Sequence, residues 1–170
     1  MAAANSDLTP GFKIALVQML VAGGAKQENL RRAELAIAEA AEQGAQLALL
    51  PETLDLGWTH PSAKEHAESI PGGEPSERLT AAAKRYGVFV CAGLTERDRM
   101  QVFNSAVLID DTGQLLLKHR KLNELEIGHE YYAQGDRLSV VHTRLGGIGV
   151  MICADGFACD QVLSRSLCYM

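Results

Sequence analysis

Two short apolar runs near the start of the chain flank an amphipathic segment. The runs are FKIALVQM, from Phe12 to Met19, and QLALL, from Gln46 to Leu50. The segment between them repeats its apolar residues at helical spacing, and Gly44 follows it where a helix commonly ends. This order predicts a β-α-β unit with a buried first strand, parallel pairing and a right-handed crossover. Such a chain is restricted to folds in which helices cover a parallel or mixed sheet.

The pattern continues with one more helix and five more strand candidates. SERLTAAAKRYG is the helix, again ended by a glycine, and GVFVCAGLTER, QVFNSAVLID and QLLLKHRK are the next three strands. The turn from Asp110 to Gly113 predicts a hairpin between the last two of these. LSVVHTRLGG and IGVMICAD predict two further strands around Gly146 and Gly147. We therefore expect an α/β fold with a mixed sheet flanked by helices, in a single domain over residues 1–170.

Composition excludes several classes of protein. The net charge of the 170-residue chain is −5, so no basic surface predicts nucleic acid as a partner. No apolar stretch approaches the roughly 20 residues that span a bilayer, and the N-terminus lacks the pattern of a secretory leader. The four cysteines form neither a disulfide framework nor paired zinc-binding spacing: Cys91, Cys153, Cys159 and Cys168. We therefore expect a cytoplasmic protein that contacts neither membrane nor nucleic acid.

The segment at the end of the chain, ACDQVLSRSLCYM, has helical spacing but no helix stop signal. Its apolar residues lie on one side of the predicted helix: Ala158, Val162, Leu163, Leu167 and Met170. The segment ends on apolar residues, with neither a glycine nor a cationic last turn. We expect that the chain is cut short inside an element, or that this end packs on something absent from the sequence.

Three chemically reactive side chains stand at the ends of predicted strands. Glu52 follows QLALLP, Lys121 follows LLLKHR, and Cys153 ends the run VMIC. Each has an ordinary explanation when taken alone: a solvated carboxylate, a member of a solvated cationic cluster, and a core thiol. However, a helix is expected shortly after Gly156, and a helix N-terminus stabilises a nearby thiolate. Because ligands bind outside the carboxyl ends of strands in open α/β sheets, we expect the three side chains to meet in one cavity.

A carboxylate, an ammonium and a thiol in one cavity suit attack on a carbonyl or nitrile carbon. The carboxylate of Glu52 can accept the thiol proton, and Cys153 can then attack the carbon. The ammonium of Lys121 can stabilise the oxygen that becomes negative in the tetrahedral intermediate. These residue types together predict hydrolysis through a covalent cysteine adduct.

The same residues carry a resemblance to a known family. ALLPETLDLGW, HRKLNE and GVMICADG, in this order, are similar to the three signature segments of the nitrilase superfamily of carbon–nitrogen hydrolases. The likeness runs from FKIALVQM to the end of the chain. It implies that Glu52 is the general base, that Lys121 stabilises the oxyanion and that Cys153 is the nucleophile. It also implies that the backbone N–H of Ala154 completes the oxyanion hole, and that no metal or organic cofactor takes part.

The resemblance further implies a second glutamate in the loop after the lysine, where it helps to position the lysine and the substrate. Glu130 matches that place best, just before an aromatic pair and a Gly–Asp turn, and Glu124 and Glu126 are competing candidates. The aromatic pair, Tyr131 and Tyr132, either shapes the substrate site or packs in the core or at the rim.

In the residues after Cys153, the chain departs from the family pattern in two ways. GFACD replaces the usual helix start, and the Trp–Glu pair that follows the cysteine in true nitrilases is absent. The second difference favours a small amide or N-carbamoyl substrate over a nitrile. The family fold is a longer α-β-β-α sandwich, so the resemblance implies a sandwich that is incomplete at its C-terminus and leaves an open sheet edge. Members often form dimers, so we expect a homodimer or larger oligomer of a full-length protein.

Two other interpretations remain open. One is a catalytically silent α/β module, or an inactive fragment, that uses the same surface for assembly or ligand binding. The other is a Cys–His hydrolase that employs His119, His129 or His142, although their spacing singles out none of them. The reactivity of Cys153 toward iodoacetamide separates a catalytic thiolate from a silent thiol.

Overall fold

The first two strands are parallel, as the β-α-β pattern predicts. The computed structural model describes residues 11–156, and the predicted terminal helix lies outside them. β1 (Ile14–Leu16) pairs in parallel with β2 (Leu47–Leu49), and α1 (Lys26–Glu42) connects them. β1 forms one edge of the sheet, and Leu16 is 74% exposed. The prediction of a buried first strand is therefore wrong, because within the described residues only one face of β1 is covered.

Three longer strands extend the sheet beyond β2. β3 (Phe89–Asp98) pairs in parallel with β2, and β4 (Gln101–Ile109) and β5 (Leu115–Arg120) continue in antiparallel order. The predicted hairpin turn between β4 and β5 is present, and the Asp110 carboxylate accepts a hydrogen bond there from the backbone N–H of Gln114 at 2.8 Å. The five-stranded sheet is therefore mixed, in the order β1-β2-β3-β4-β5.

Two helices cover one face of this sheet. α1 buries its predicted apolar face. A short helix, α2 (Ala63–His66), comes next among the helices, and α3 (Glu74–Tyr86) then packs against α1. α3 has Pro75 in its first turn and ends at Gly87, whose φ of +63° is a left-handed conformation that favours glycine. The core between helices and sheet is formed by apolar residues of both layers, among them Leu30, Ile37, Leu79, Val90 and Ile109.

A β-hairpin packs toward the opposite face of the sheet. β6 (Val140–Thr143) and β7 (Gly146–Gly149) form a separate antiparallel pair, and the two predicted turn glycines are the first residues of β7. Val150 and Ile152 follow without strand pairing and are buried against the five-stranded sheet. The predicted last strand, which was to end at Cys153, ends instead at Gly149. Its apolar run reflects burial and not strand pairing.

The directions of the strands explain where the candidate site lies. β1, β2 and β3 are parallel, and two successive antiparallel pairings return β5 to the same direction. β2 and β5 therefore end on the same side of the sheet, beside the middle of β3, and Glu52 and Lys121 follow them there. No helix among residues 11–156 is both long and apolar enough to cross a bilayer.

Candidate active site

Glu52 lies in a turn that follows β2 and rests on β3. The backbone N–H of Gly93 donates to the Pro51 carbonyl at 3.0 Å, and the N–H of Leu54 donates to the Gly93 carbonyl at 2.9 Å. A Cβ atom on Gly93 would stand only 2.5 Å from the Cα of Glu52. The turn can thus approach the strand because position 93 has no side chain.

A buried carboxylate, Asp55, anchors the far end of the same turn. It accepts hydrogen bonds from the backbone N–H and the hydroxyl of Thr95, at 3.0 and 3.1 Å. Asn29 on α1 donates to the Asp55 carbonyl oxygen at 3.0 Å. Burial raises the pKa of Asp55 to about 6, although the hydrogen bonds from Thr95 oppose the shift. The Glu52 turn is therefore attached to β3 at two points, Gly93 and Thr95.

Lys121 directly contacts Glu52. The lysine is buried at the end of β5, and its Nζ lies 2.8 Å from Oε1 of Glu52. The same oxygen accepts a hydrogen bond from Nδ2 of Asn104 at 2.6 Å, and the backbone N–H of Lys121 donates to the Asn104 carbonyl at 2.9 Å. Asn104 on β4 thus holds the carboxylate and the lysine backbone together. None of the sequence motifs includes this residue.

A second carboxylate near Lys121 belongs to Glu124. Its Oε2 lies 3.5 Å from the lysine Nζ, and its side chain is wholly buried. Burial raises the pKa of Glu124, and the charge of Lys121 opposes that rise. For Lys121 itself, burial lowers the pKa, but the hydrogen bond to Glu52 and the charges of Glu52, Glu124 and Cys153 outweigh it, so the pKa is raised. An ammonium held in its charged form can donate to a developing negative oxygen.

Cys153 is exposed at the start of a 3₁₀ turn, Cys153–Gly156, and Ala154 behind it is fully buried. The φ of Cys153 is +43°, which is uncommon for a residue with a side chain. Cys153 and Glu52 line one cavity of about 190 Å³. Apolar residues form most of the remaining wall of this cavity, among them Leu49, Cys91, Ala106 and Ile152. Lys121 thus contacts Glu52, and Glu52 shares the cavity with Cys153, but Lys121 is not among the described residues that line this cavity.

Comparison with known proteins identifies the family. Residues 13–163 match the family model for carbon-nitrogen hydrolases. The chain belongs to the carbon–nitrogen hydrolase family. It is 38% identical over 154 residues to omega-amidase NIT2 of Xenopus tropicalis, a match that covers 85% of this chain and 55% of that protein. It is 36% identical over 159 residues to a nitrilase of Pyrococcus abyssi, with coverage of 91% and 60%.

Solved structures confirm the resemblance to the nitrilase superfamily and the mixed α/β fold. An amidase from Nesterenkonia sp. matches with a TM-score of 0.77 and 25% identity, over 85% of this chain and 56% of that one. Nit3 of Saccharomyces cerevisiae, a member of branch 10 of the nitrilase superfamily, gives the same values. This carbon–nitrogen hydrolase chain therefore spans between half and two thirds of the length of these relatives.

The loop glutamates of this carbon–nitrogen hydrolase are not arranged as the sequence suggested. Glu130, the best match in sequence, has 67% of its side chain exposed and pairs with Lys64. Glu126 is also exposed. The 3₁₀ turn Glu126–Glu130 carries both residues to the surface, whereas Glu124 precedes it and points inward. The geometry places Glu124, not Glu130, beside the lysine.

The two tyrosines take part in packing. Tyr132 is buried in an apolar cluster with Val102, and its hydroxyl accepts a hydrogen bond from the backbone N–H of Thr59 at 3.0 Å. Tyr131 packs beside it, with the Lys64 ammonium 4.9 Å from the centre of its ring. Among residues 11–156, those that line the Cys153 cavity do not include either tyrosine.

The histidines proposed for a Cys–His mechanism lie elsewhere. His119 is buried and its Nε2 lies 2.8 Å from Oδ2 of Asp155, while His129 and His142 are exposed. Within the part of the chain that the structure describes, no group of three or more His, Cys, Asp or Glu side chains is arranged to hold a metal ion.

Proposed function

We propose that this chain carries the catalytic residues of a thiol-dependent amidase, which hydrolyses the C–N bond of a small amide through a cysteine thioester. The contact of 2.8 Å between Lys121 and Glu52, beside the cavity that Glu52 shares with Cys153, is the observation that supports it most. The matched omega-amidases and amidases support an amide substrate, and the matched nitrilase of Pyrococcus abyssi makes a nitrile the competing substrate class. The chain spans between half and two thirds of the length of these relatives, so the activity of the whole protein is part of the proposal.

The first half of the reaction forms the thioester. Glu52 takes the proton of the Cys153 thiol as the sulfur attacks the amide carbon. The carbonyl oxygen becomes negative and is stabilised by the ammonium of Lys121 and the backbone N–H of Ala154. Glu52 then gives its proton to the amide nitrogen, the C–N bond breaks, and ammonia or an amine leaves.

The second half releases the acid and restores the enzyme. Glu52 accepts a proton from water as the water oxygen attacks the thioester carbon. The same two donors stabilise the second tetrahedral intermediate, and the C–S bond breaks as Glu52 returns the proton to the sulfur, which restores the thiol and the carboxylate. One carboxylate therefore serves as base and acid in turn, which requires it to stay within reach of sulfur, nitrogen and water.

Glu124 and Asn104 act in this proposal as positioning residues. Asn104 donates to the Glu52 oxygen that also contacts Lys121, so the other carboxylate oxygen of Glu52 is left for proton transfer. Glu124 approaches the Lys121 ammonium at 3.5 Å. We assign to Glu124 the positioning role that the resemblance suggested for Glu130.

Thiol labelling tests the assignment of the nucleophile. With iodoacetamide near neutral pH, we expect Cys153 to react at least about tenfold faster than Cys91, because Cys153 is exposed whereas Cys91 is buried. Burial raises the pKa of Cys91 to about 11, so Cys91 is the matched internal control. Peptide mass mapping locates the label, and amide hydrolysis should decline in step with modification of Cys153.

The labelling experiment also separates the proposal from its alternatives. A protein that is fully labelled at Cys153 and still hydrolyses amides at the wild-type rate contradicts a nucleophilic role. Labelling of Cys153 no faster than that of Cys91 indicates a silent module. Short primary amides, N-carbamoyl amino acids and nitriles, assayed side by side, then define the substrate class.

Replacing Gly93 tests whether the close contact between the Glu52 turn and β3 is needed for catalysis. We expect Gly93→Ala to lower kcat about tenfold or more, because a Cβ there forces the Glu52 backbone outward. The same shift should lower the free energy of unfolding by about 1–3 kcal/mol. The control is Gly147→Ala, where a Cβ would meet no atom closer than 3.6 Å. Hydrolysis assays and urea unfolding measure both effects, and wild-type kcat in Gly93→Ala would refute the role.

A further inference from the structure

The carboxylate of Asp155 connects the turn of the proposed nucleophile to the segment that follows the lysine. Asp155 lies two residues after Cys153, and its side chain is wholly buried. Its Oδ1 accepts hydrogen bonds from the backbone N–H groups of Leu122 and Asn123, at 3.0 and 2.8 Å. These two residues follow Lys121 directly, so this oxygen fixes the chain that leaves the lysine.

The second carboxylate oxygen of Asp155 connects to residues that precede both catalytic positions. Oδ2 accepts hydrogen bonds from the backbone N–H of Ile152 at 3.1 Å and from Nε2 of His119 at 2.8 Å. Ile152 directly precedes Cys153, and His119 stands two residues before Lys121 on β5. One carboxylate thus binds the chain on both sides of the lysine and next to the thiol.

His119 supplies a side-chain donor to this network. A carboxylate only accepts hydrogen bonds, so Nε2 of His119 carries the hydrogen in the contact. The imidazole is 1% exposed, and its Nδ1 has no hydrogen-bond partner among residues 11–156. Burial raises the pKa of Asp155, but the hydrogen bonds from His119 and the backbone outweigh burial and lower it. Asp155 is therefore ionised at neutral pH, and bonds to an ionised acceptor are stronger than neutral ones.

We propose that His119 and Asp155 are positioning residues that fix the Cys153 turn relative to the chain segment that carries Lys121. The inference rests on the proposed function, since it concerns that function's nucleophile and oxyanion donor. Neither side chain touches the substrate in this role. Loss of the His119 donor removes the bond that joins β5 itself to the Cys153 turn and leaves only those from Leu122 and Asn123 beyond the lysine. A displacement of about 1 Å in a catalytic group can cost 10²-fold in rate.

Two amide variants of His119 test whether position 119 must donate a hydrogen bond to Asp155 or only needs a polar side chain. The nitrogen of Gln lies about as far from the backbone as Nε2 of His, whereas that of Asn falls about one bond short. We expect His119→Gln to keep kcat within about threefold of wild type. We expect His119→Asn to lower kcat by about 10- to 100-fold while KM changes less than about threefold, because alignment and not substrate binding is lost. Steady-state hydrolysis of a short amide by the intact protein measures both constants.

The labelling rate of Cys153 provides a readout that does not depend on turnover. Iodoacetamide should modify Cys153 about tenfold more slowly in His119→Asn than in wild type, and His119→Gln should restore the rate. Urea unfolding checks that the compared proteins are folded. Should His119→Asn fail to fold, Asp155→Asn replaces it, with the same losses expected in kcat and labelling.

The outcomes distinguish this inference from the proposed function. If folded His119→Asn or Asp155→Asn keeps the wild-type kcat and labelling rate, the network is merely structural and the inference is overturned. If kcat and the labelling rate of Cys153 fall as far in His119→Gln as in His119→Asn, the hydrogen bond donated to Asp155 is not what positions the thiol, and the inference fails as well. If wild-type protein hydrolyses no amide, the proposed function fails, and the labelling comparison alone decides the positioning role.

Discussion

Cys153→Ala is expected to abolish amide hydrolysis while leaving the protein folded. The thiol is the only group of the proposed mechanism that forms a covalent bond to the substrate, so its loss should lower kcat by about 10⁴-fold or more. Cys153 is exposed, and its backbone conformation suits alanine no worse than cysteine. The free energy of unfolding should therefore change by less than about 0.5 kcal/mol. Ammonia release and urea unfolding on the same preparation measure the two quantities.

Cys91→Ala is the matched control for this experiment. Cys91 lines the same cavity as Cys153, but it is buried, and burial raises its pKa to about 11, so its thiol is protonated at neutral pH. We expect Cys91→Ala to retain kcat within a few-fold of wild type, although removal of a buried sulfur lowers stability by roughly 1 kcal/mol. A loss of turnover in Cys91→Ala as large as that in Cys153→Ala would show that the cavity, not the nucleophile, was disrupted. An acyl adduct trapped on wild-type Cys153 would exclude that explanation.

The proximity of Glu52 and Lys121 could be predicted from sequence because it depends on strand order. Both residues follow short apolar strands, and both strands run in the same direction. Periodicity and turn residues indicate that each residue follows a strand, and the general rule for open α/β sheets then predicts their proximity, although the order and directions of the strands come from the structure. Cys153 is different, since the chain before it does not form a strand. Its apolar run is explained by burial of Val150 and Ile152, which a periodic pattern cannot separate from strand pairing.

The choice between Glu124 and Glu130 could not be made from sequence. Asp155 binds the backbone of Leu122 and Asn123 and so helps to set the path of the loop that carries both glutamates. That contact joins residues more than thirty positions apart, and no local pattern reports it. Resemblance to a motif ranked Glu130 first, whereas the direction in which the loop leaves β5 turns Glu124 inward.

Two supporting residues did leave a signal in the sequence. Gly93 stands inside a strand pattern, where a glycine often marks close approach of another backbone, and here the Glu52 turn is that backbone. Asn104 stands inside the apolar strand QVFNSAVLID, and a buried amide needs a partner, here Glu52. The sequence analysis singled out neither position, because each signal becomes specific only when the tertiary structure shows the partner.

Glu52→Gln is expected to lower kcat by about 10³-fold, the second-largest effect among these variants, because an amide cannot accept the thiol proton. The substitution preserves the size of the side chain, and its oxygen can still accept hydrogen bonds from Asn104 and Lys121, as Oε1 does in the wild type. The fold and the position of the lysine should therefore change little. The measurement is kcat for a short amide, together with the iodoacetamide labelling rate of Cys153.

Two other glutamines provide the matched comparison for Glu52→Gln. Glu124→Gln removes a buried carboxylate from the same ammonium without touching the proton path, so we expect a loss of about 10- to 100-fold. Glu130→Gln removes only an exposed ion pair with Lys64, and exposed pairs contribute little, so kcat should stay within about twofold of wild type. A larger loss in Glu130→Gln than in Glu124→Gln would return the positioning role to Glu130. If Glu52→Gln keeps a near-wild-type kcat, the proposed mechanism has no general base and is wrong. Among residues 11–156, no other carboxylate both contacts Lys121 and lines the cavity of Cys153.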